Sequence, residues 1–174
     1  MKKQKKILID IEIDKLTNSI ENAVSGDIFD TEIIQLFTKD NKQINKADWI
    51  FKWQEQVKLT DRETYKLVIK DNPKIIQGLI SLSDQGDHIY MHLIESAKFN
   101  KGTHKLYAGI PGNLVAFACK LSFEKGYEGY LAFDAKTTLI KHYQETLFAT
   151  HFKGTKMMIE TPAANRLINR YFKK

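Results

Sequence analysis

A single cysteine, Cys119, rules out an intramolecular disulfide, so packing and hydrogen bonds alone must hold this chain together. Three prolines and nine glycines are too few and too scattered to mark a linker, and no repeat or low-complexity tract is present. The 174 residues suffice for one sizeable core, and one domain spanning 1–174 is expected. No stretch approaches the ~18 apolar residues needed to cross a bilayer. The basic start MKKQKK runs into ILIDIEI, where Asp10 and Glu12 interrupt the apolar pattern before a signal-peptide core can form. These absences lead to the expectation of a cytoplasmic protein without a membrane partner. Neither GxSxG nor GxxxxGK[ST] occurs, which leaves hydrolase elbows and Walker-type sites unsupported. His88, His104 and His151 are scattered, and no metal site is expected.

What is abundant is basic charge, and it is partly terminal. The net charge is +6, from 27 Lys and Arg against 21 Asp and Glu, but four of the basic residues lie in MKKQKK and three in RYFKK. Such ends read as solvated tails more readily than as nucleic-acid arms. Trp49, Phe51 and Trp53 recur at period two beside Lys52 and Lys58. They fit a buried aromatic strand face, or a platform for stacking single-stranded bases, although no RNP-like motif accompanies them.

Periodicity sets out the elements. Ile7 to Ile13 alternates as a strand with one face buried, and residues 16–26 place Leu16, Ile20, Ala23 and Val24 on one helical face that stops at Gly26. TEIIQLF is a short strand or helix turn. Strands follow at 65–70, 75–83 and 88–96, separated by the turn signals DNP and DQGD. A helix from near Gly112 to near Gly126, a strand GYLAFDA, a helix TTLIKHYQETL, one or two strands in HFKGTKMMIE and a final helix opened by Pro162 complete the chain. The most informative stretch is Lys105 to Cys119, where a strand, a Gly-containing turn and a helix N-terminus meet. Unpaired N–H groups and the positive helix end converge there, which suits an anion such as phosphate. The alternative is a glycine turn that ends a strand and caps a helix.

This order of elements, with HIYMHLIESAKFNKGTHKLYAGIPGNLVAFACKLSFEKGY followed by GYLAFDAKTTLIKHYQETLFA, resembles the GCN5-related N-acetyltransferase (GNAT) family over about residues 65–160. The resemblance implies an α/β protein of the α+β type, with a mixed, mostly antiparallel twisted sheet flanked by helices. Residues 65–174 would form the acetyl-coenzyme A-binding core and residues 1–64 the acceptor side. Acetyl-coenzyme A is the implied cosubstrate and an amine, on a small molecule or a peptide, the implied acceptor; nucleic acid is not an expected partner, and a homodimer is left open. The pyrophosphate is expected against Tyr107, Gly109, Ile110, Gly112, Asn113 and Leu114, with Lys101, Lys105 or Lys120 adding charge. The turn departs from the family pattern: in YAGIPGN, Pro111 has no N–H to donate.

Acyl transfer to an amine requires a group that takes the nucleophile's proton and benefits from one that protonates the leaving thiolate. Glu95, at the end of an apolar strand where the family often holds a carboxylate, is the expected base. Tyr143 matches the family's helix tyrosine and is the expected acid. Strict alternation puts Glu95 with Met91 and Leu93, and His92 with Tyr90 and Ile94, so only one of Glu95 and His92 would face the cleft. His142 points about 100° away from Tyr143 around the helix, to solvent or to the sheet edge. Cys119, mid-helix among apolar residues, reads as inert. Asp27, Asp30, Glu32, Asp48 and Glu55 attract a cationic acceptor or are plain surface charge. The remaining alternative is a member of the same fold that binds acyl-coenzyme A or a protein without turnover.

Overall fold

The structure, a computed structural model, describes residues 6–172; Lys2, Lys3, Lys5, Lys173 and Lys174 of the terminal basic runs lie outside the described residues. The elements run β1 (Ile20–Asn22), β2 (Ile28–Phe29), β3 (Thr31–Leu36), α1 (Trp53–Lys58), β4 (Glu63–Ile69), β5 (Gly78–Asp84) and β6 (Ile89–Ser96). They continue with β7 (Tyr107–Ala108), α2 (Ile110–Glu124), β8 (Leu131–Asp134), α3 (Ile140–Thr146), β9 (Thr150–Lys153), β10 (Lys156–Ile159) and α4 (Thr161–Phe172). The main sheet has seven strands in the order β3-β4-β5-β6-β8-β10-β9, and every neighbouring pair is antiparallel except β6 and β8. This is the mixed, mostly antiparallel sheet expected from the sequence. A small second sheet, β2-β1-β7, ties residues 20–29 to the turn before α2.

Two apolar clusters share the faces of the main sheet. The larger includes Leu67, Ile80, Ile89, Met91 and Ile94 from strands, Ile110, Leu114 and Cys119 from α2, and Leu167 and Tyr171 from α4. The smaller joins Trp49, Trp53, Leu79 and Leu93. Both tryptophans are buried, so they offer no stacking platform for bases. Burial pushes the Cys119 thiol up, away from the reactive thiolate form.

Two expectations fail for identifiable reasons. Residues 16–26 form no helix: Ser19 takes φ 53°, β1 pairs with both β2 and β7, and Val24 is 95% exposed rather than on a buried face. Pairing with a strand distant in sequence overrides a short helical pattern that lacks enough turns to stabilise itself. Residues 49–53 are not a strand either. Trp53 opens α1, and the smaller cluster buries both tryptophans while Phe51 turns outward.

Two local features shape the site. Leu82 pairs with Met91 but the adjacent Ser81 pairs with Leu93, so β6 carries one extra residue, His92, as a β-bulge. Beyond that point the parallel β6 and β8 part: they pair only at Ile89–Leu131 and Tyr90–Ala132. The result is a wedge between residues 93–96 and the end of β8.

Candidate active site

The wedge holds part of the chain itself. Residues before β1 run along its β8 side, where the Ile9 N–H donates to the Asp134 carbonyl at 2.7 Å and the Lys136 N–H donates to the Ile9 carbonyl at 3.0 Å. The expected strand at 7–13 is thus an extended segment with one ladder bridge. A cavity of about 410 Å³ remains between this segment and β6, lined by Asp10, Glu12 and Asp14 on one side and Leu93 to Ser96 on the other. Strict alternation places those three carboxylates on one face, a signal present in the sequence as acidic residues at every second position from 10 to 14.

Glu95 lies at this cavity and is buried. The bulge at His92 shifts the alternation, so Glu95 and His92 lie on the face opposite Met91 and Ile94; one extra residue corrects the expectation of opposite faces. The Glu95 carboxylate accepts from the Ile50 N–H (2.8 Å), the Phe51 N–H (3.2 Å), the Trp53 indole N–H (2.8 Å) and the Lys101 ammonium (3.2 Å). A carboxylate has about four lone-pair positions. All are engaged, so taking a proton requires one donor to leave, and Lys101, the half-exposed member, is the one free to do so.

Tyr143 reaches the wedge from α3. Its hydroxyl donates to the Ile11 carbonyl at 2.5 Å, and burial raises its pKa, which keeps the phenol protonated at neutral pH. His142 does not point to solvent: its Nε2 accepts from the Ile13 N–H at 2.8 Å.

The turn before α2 binds an anion, and the anion is internal. Gly109, left-handed at φ 91°, donates its N–H to both Asp14 oxygens (3.2 and 3.4 Å), and the Lys105 ammonium lies 3.0 Å from the same carboxylate. A Cβ at Gly109 would sit 2.0 Å from the Thr17 hydroxyl, so the chain packs directly on the turn. Of the other expected cradle residues, Tyr107 pairs with Asn22 and Gly112 lies against the Tyr171 hydroxyl. Ile110 and Leu114 pack on Gly78, while the Asn113 N–H donates to the Gly109 carbonyl within the first helical turn. The groups that engage an anion in the structure are the Gly109 N–H and the Lys105 ammonium. Lys101 serves Glu95, and the Lys120 ammonium sits over the Phe172 ring.

On the face shared with Glu95, Ser83 Oγ and His92 Nε2 are hydrogen-bonded at 2.6 Å beside a second cavity lined by Asp61, Arg62 and Tyr90. Burial, aided by the Arg62 guanidinium, pushes the His92 pKa down from 6.5 to about 4. The unfolded chain therefore binds a proton more readily between pH 6.5 and 4, and stability falls as pH drops through that window. For a partly exposed ring the expected loss is on the order of 2 kcal/mol. Urea unfolding at pH 7 and pH 4.5 checks this: His92→Gln should remove much of the difference, and an unchanged difference would refute the assignment.

Among the described residues no cluster of three or more His, Cys, Asp or Glu has a metal-binding arrangement, and no helix is long and apolar enough to cross a membrane.

The splayed parallel pair, the bulge and the helix that follows define a GNAT-like fold, and solved structures share it. The AtaTR complex bound with acetyl-coenzyme A matches with a TM-score of 0.52 at 12% identity, covering 79% of this chain and 98% of that one. A tyrosine-to-phenylalanine variant of the AtaT toxin, bound to the C-terminus of the antitoxin AtaR and acetyl-coenzyme A, matches at 0.51 and 12%, covering 79% and 98%. The KacTA–DNA complex matches at 0.50 and 12%, covering 80% and 99%. Nearly all of each neighbour is matched, while about a fifth of this chain lies beyond the shared fold. No family model and no curated protein matches the sequence.

Proposed function

We propose that the protein transfers an acetyl group from acetyl-coenzyme A to an amine in the wedge between β6 and β8, releasing coenzyme A. The observation that carries this reading is the geometry of the wedge: a parallel pair that splays after a bulge, an anion-binding helix N-terminus and a buried protonated tyrosine. Neighbours of the same fold crystallised with acetyl-coenzyme A support it. Residues 93–96 pair with β5 on one side and have no ladder partner on the wedge side, so their backbone groups are available to an extended ligand there.

The bound coenzyme supplies the thioester. Gly109 and Lys105 hold negative charge at the mouth. Tyr143 donates its proton to the departing sulfur as the carbon–sulfur bond breaks. Glu95, once Lys101 has moved off, takes the proton lost by the attacking amine. A direct route is favoured over a covalent one, because the only thiol is buried and its protonated form is favoured.

Thiol release from acetyl-coenzyme A across a panel of amines tests the reading. Tyr143→Phe is expected to slow turnover by on the order of 10²-fold, the lower end of general-acid effects, with coenzyme affinity retained. Wild-type rates from that variant would remove Tyr143 from the chemistry. A second reading, a non-catalytic binder of the same fold, is favoured by one observation: Glu95, Tyr143 and Gly109 are all hydrogen-bonded to the chain itself. Coenzyme binding without thiol release from any amine would select it.

A further inference from the structure

Resting on the reading of the wedge as a coenzyme site, we infer that residues 7–14 are a built-in competitor for it, with the Asp14 carboxylate standing in for the pyrophosphate. The segment meets the groups the ligand would need. Its backbone takes the free edge of β8 through Ile9, its Ile11 carbonyl takes the Tyr143 hydroxyl, and Asp14 takes the Gly109 amide and the Lys105 charge. The Ile13 N–H closes on His142 between these points. A segment placed only to cover apolar surface has no need to satisfy the acid, the anion turn and the strand edge together. Among the described residues before β3, the main sheet is joined at the Ile9 bridge and at Asp30, whose carbonyl accepts from the Lys70 N–H.

The segment is held unevenly: Ile9 and Ile13 are buried in the main core, whereas Asp10 meets Lys136 at 3.4 Å between two half-exposed side chains and Leu8 is exposed. Beyond Asp14 the holding is firmer. The Tyr171 hydroxyl donates to the Lys15 carbonyl, Arg170 Nε donates to the Leu16 carbonyl and the Ser19 N–H donates to the Tyr171 carbonyl. Release therefore stops at Lys15, which stays pinned to α4 while residues 7–14 leave the wedge. Coenzyme binding and segment docking exclude each other at Gly109, and the population of the released state sets the apparent affinity.

The test is titration of the full chain with coenzyme A, by calorimetry, for wild type, Asp14→Ala and Asp14→Asn, together with amide exchange at Ile9 and Ile13. Asp14→Asn keeps the shape and an acceptor for Gly109 while removing the charge, so it covers the case in which the alanine variant folds poorly. A docked population of roughly nine-tenths predicts that both variants bind about tenfold more tightly. Saturation should also speed exchange at Ile9 and Ile13. Equal affinities with unchanged protection at saturation would overturn the inference and leave the wedge a coenzyme site that accepts its ligand beside the segment. Failure of all three proteins to bind, although Asp14→Ala speeds exchange at Ile9 and Ile13, would instead overturn the coenzyme reading on which the inference rests.

Discussion

Glu95→Ala is expected to lower folding stability by about 3 kcal/mol, the cost of leaving buried donors without their charged acceptor. The carboxylate is the meeting point of two backbone N–H groups, the Trp53 indole and Lys101, and it fixes residues 50–53 against the end of β6. Alanine leaves the Trp53 indole buried without its acceptor. Glu95→Gln keeps one carbonyl oxygen but turns an amide donor toward groups that are themselves donors, so about 2 kcal/mol is expected. Urea unfolding measures both. A loss below about 1 kcal/mol for the alanine variant would contradict the anchoring role. A drop in turnover from the glutamine variant at unchanged stability would place Glu95 in proton transfer alone.

The second large effect is expected at Gly112. A Cβ there would lie 1.6 Å from the Tyr171 hydroxyl oxygen and 2.3 Å from the ring carbon that bears it. Tyr171 cannot give way cheaply: its ring is fully buried and its hydroxyl and backbone carbonyl are both hydrogen-bonded to residues 15–19. Gly112→Ala should therefore cost about 3 kcal/mol or more, at the upper end of overpacking, and lower Tm by on the order of 10 °C. Gly126→Ala meets no neighbour and carries only the strain of φ 84°, about 1 kcal/mol. Thermal unfolding of the two variants compares them directly. Equal small shifts would mean that α4 does not press on α2 as described. Adding Tyr171→Ala should relieve the clash, so that Gly112→Ala costs much less in that background.

The elements legible in the sequence are those whose own periodicity matches their burial. The strands at 63–69 and 89–96 and the helix at 110–124 carry continuous apolar patterns bounded by turn residues, and they form within two residues of their expected limits. Before residue 60 the strand in TEIIQLF forms as β3, one of its two expected readings, whereas residues 16–26 and 49–58 escape local reading because distant partners decide their conformation. β1 exists through β7, and Trp53 ends an extended reading by turning its indole to Glu95, 42 residues away. The candidate site shows the same division. Glu95 and Tyr143 were marked by a buried carboxylate and a family-like helix, whereas Asp14 and His142 act through contacts made 95 and 129 residues apart. Period-two reasoning also failed at one residue, since a single bulge at His92 exchanges the faces of everything after it.

On the proposed reading, coenzyme A enters the wedge beside β6, with Gly109 at its mouth. Titration of isotope-labelled wild-type protein with coenzyme A, followed at the amide resonances of Gly109 and residues 94–96, tests it most directly. Saturable shifts at these resonances with a common affinity are expected. Resonances that stay in place up to millimolar coenzyme A, in both the wild type and Asp14→Asn, would contradict it.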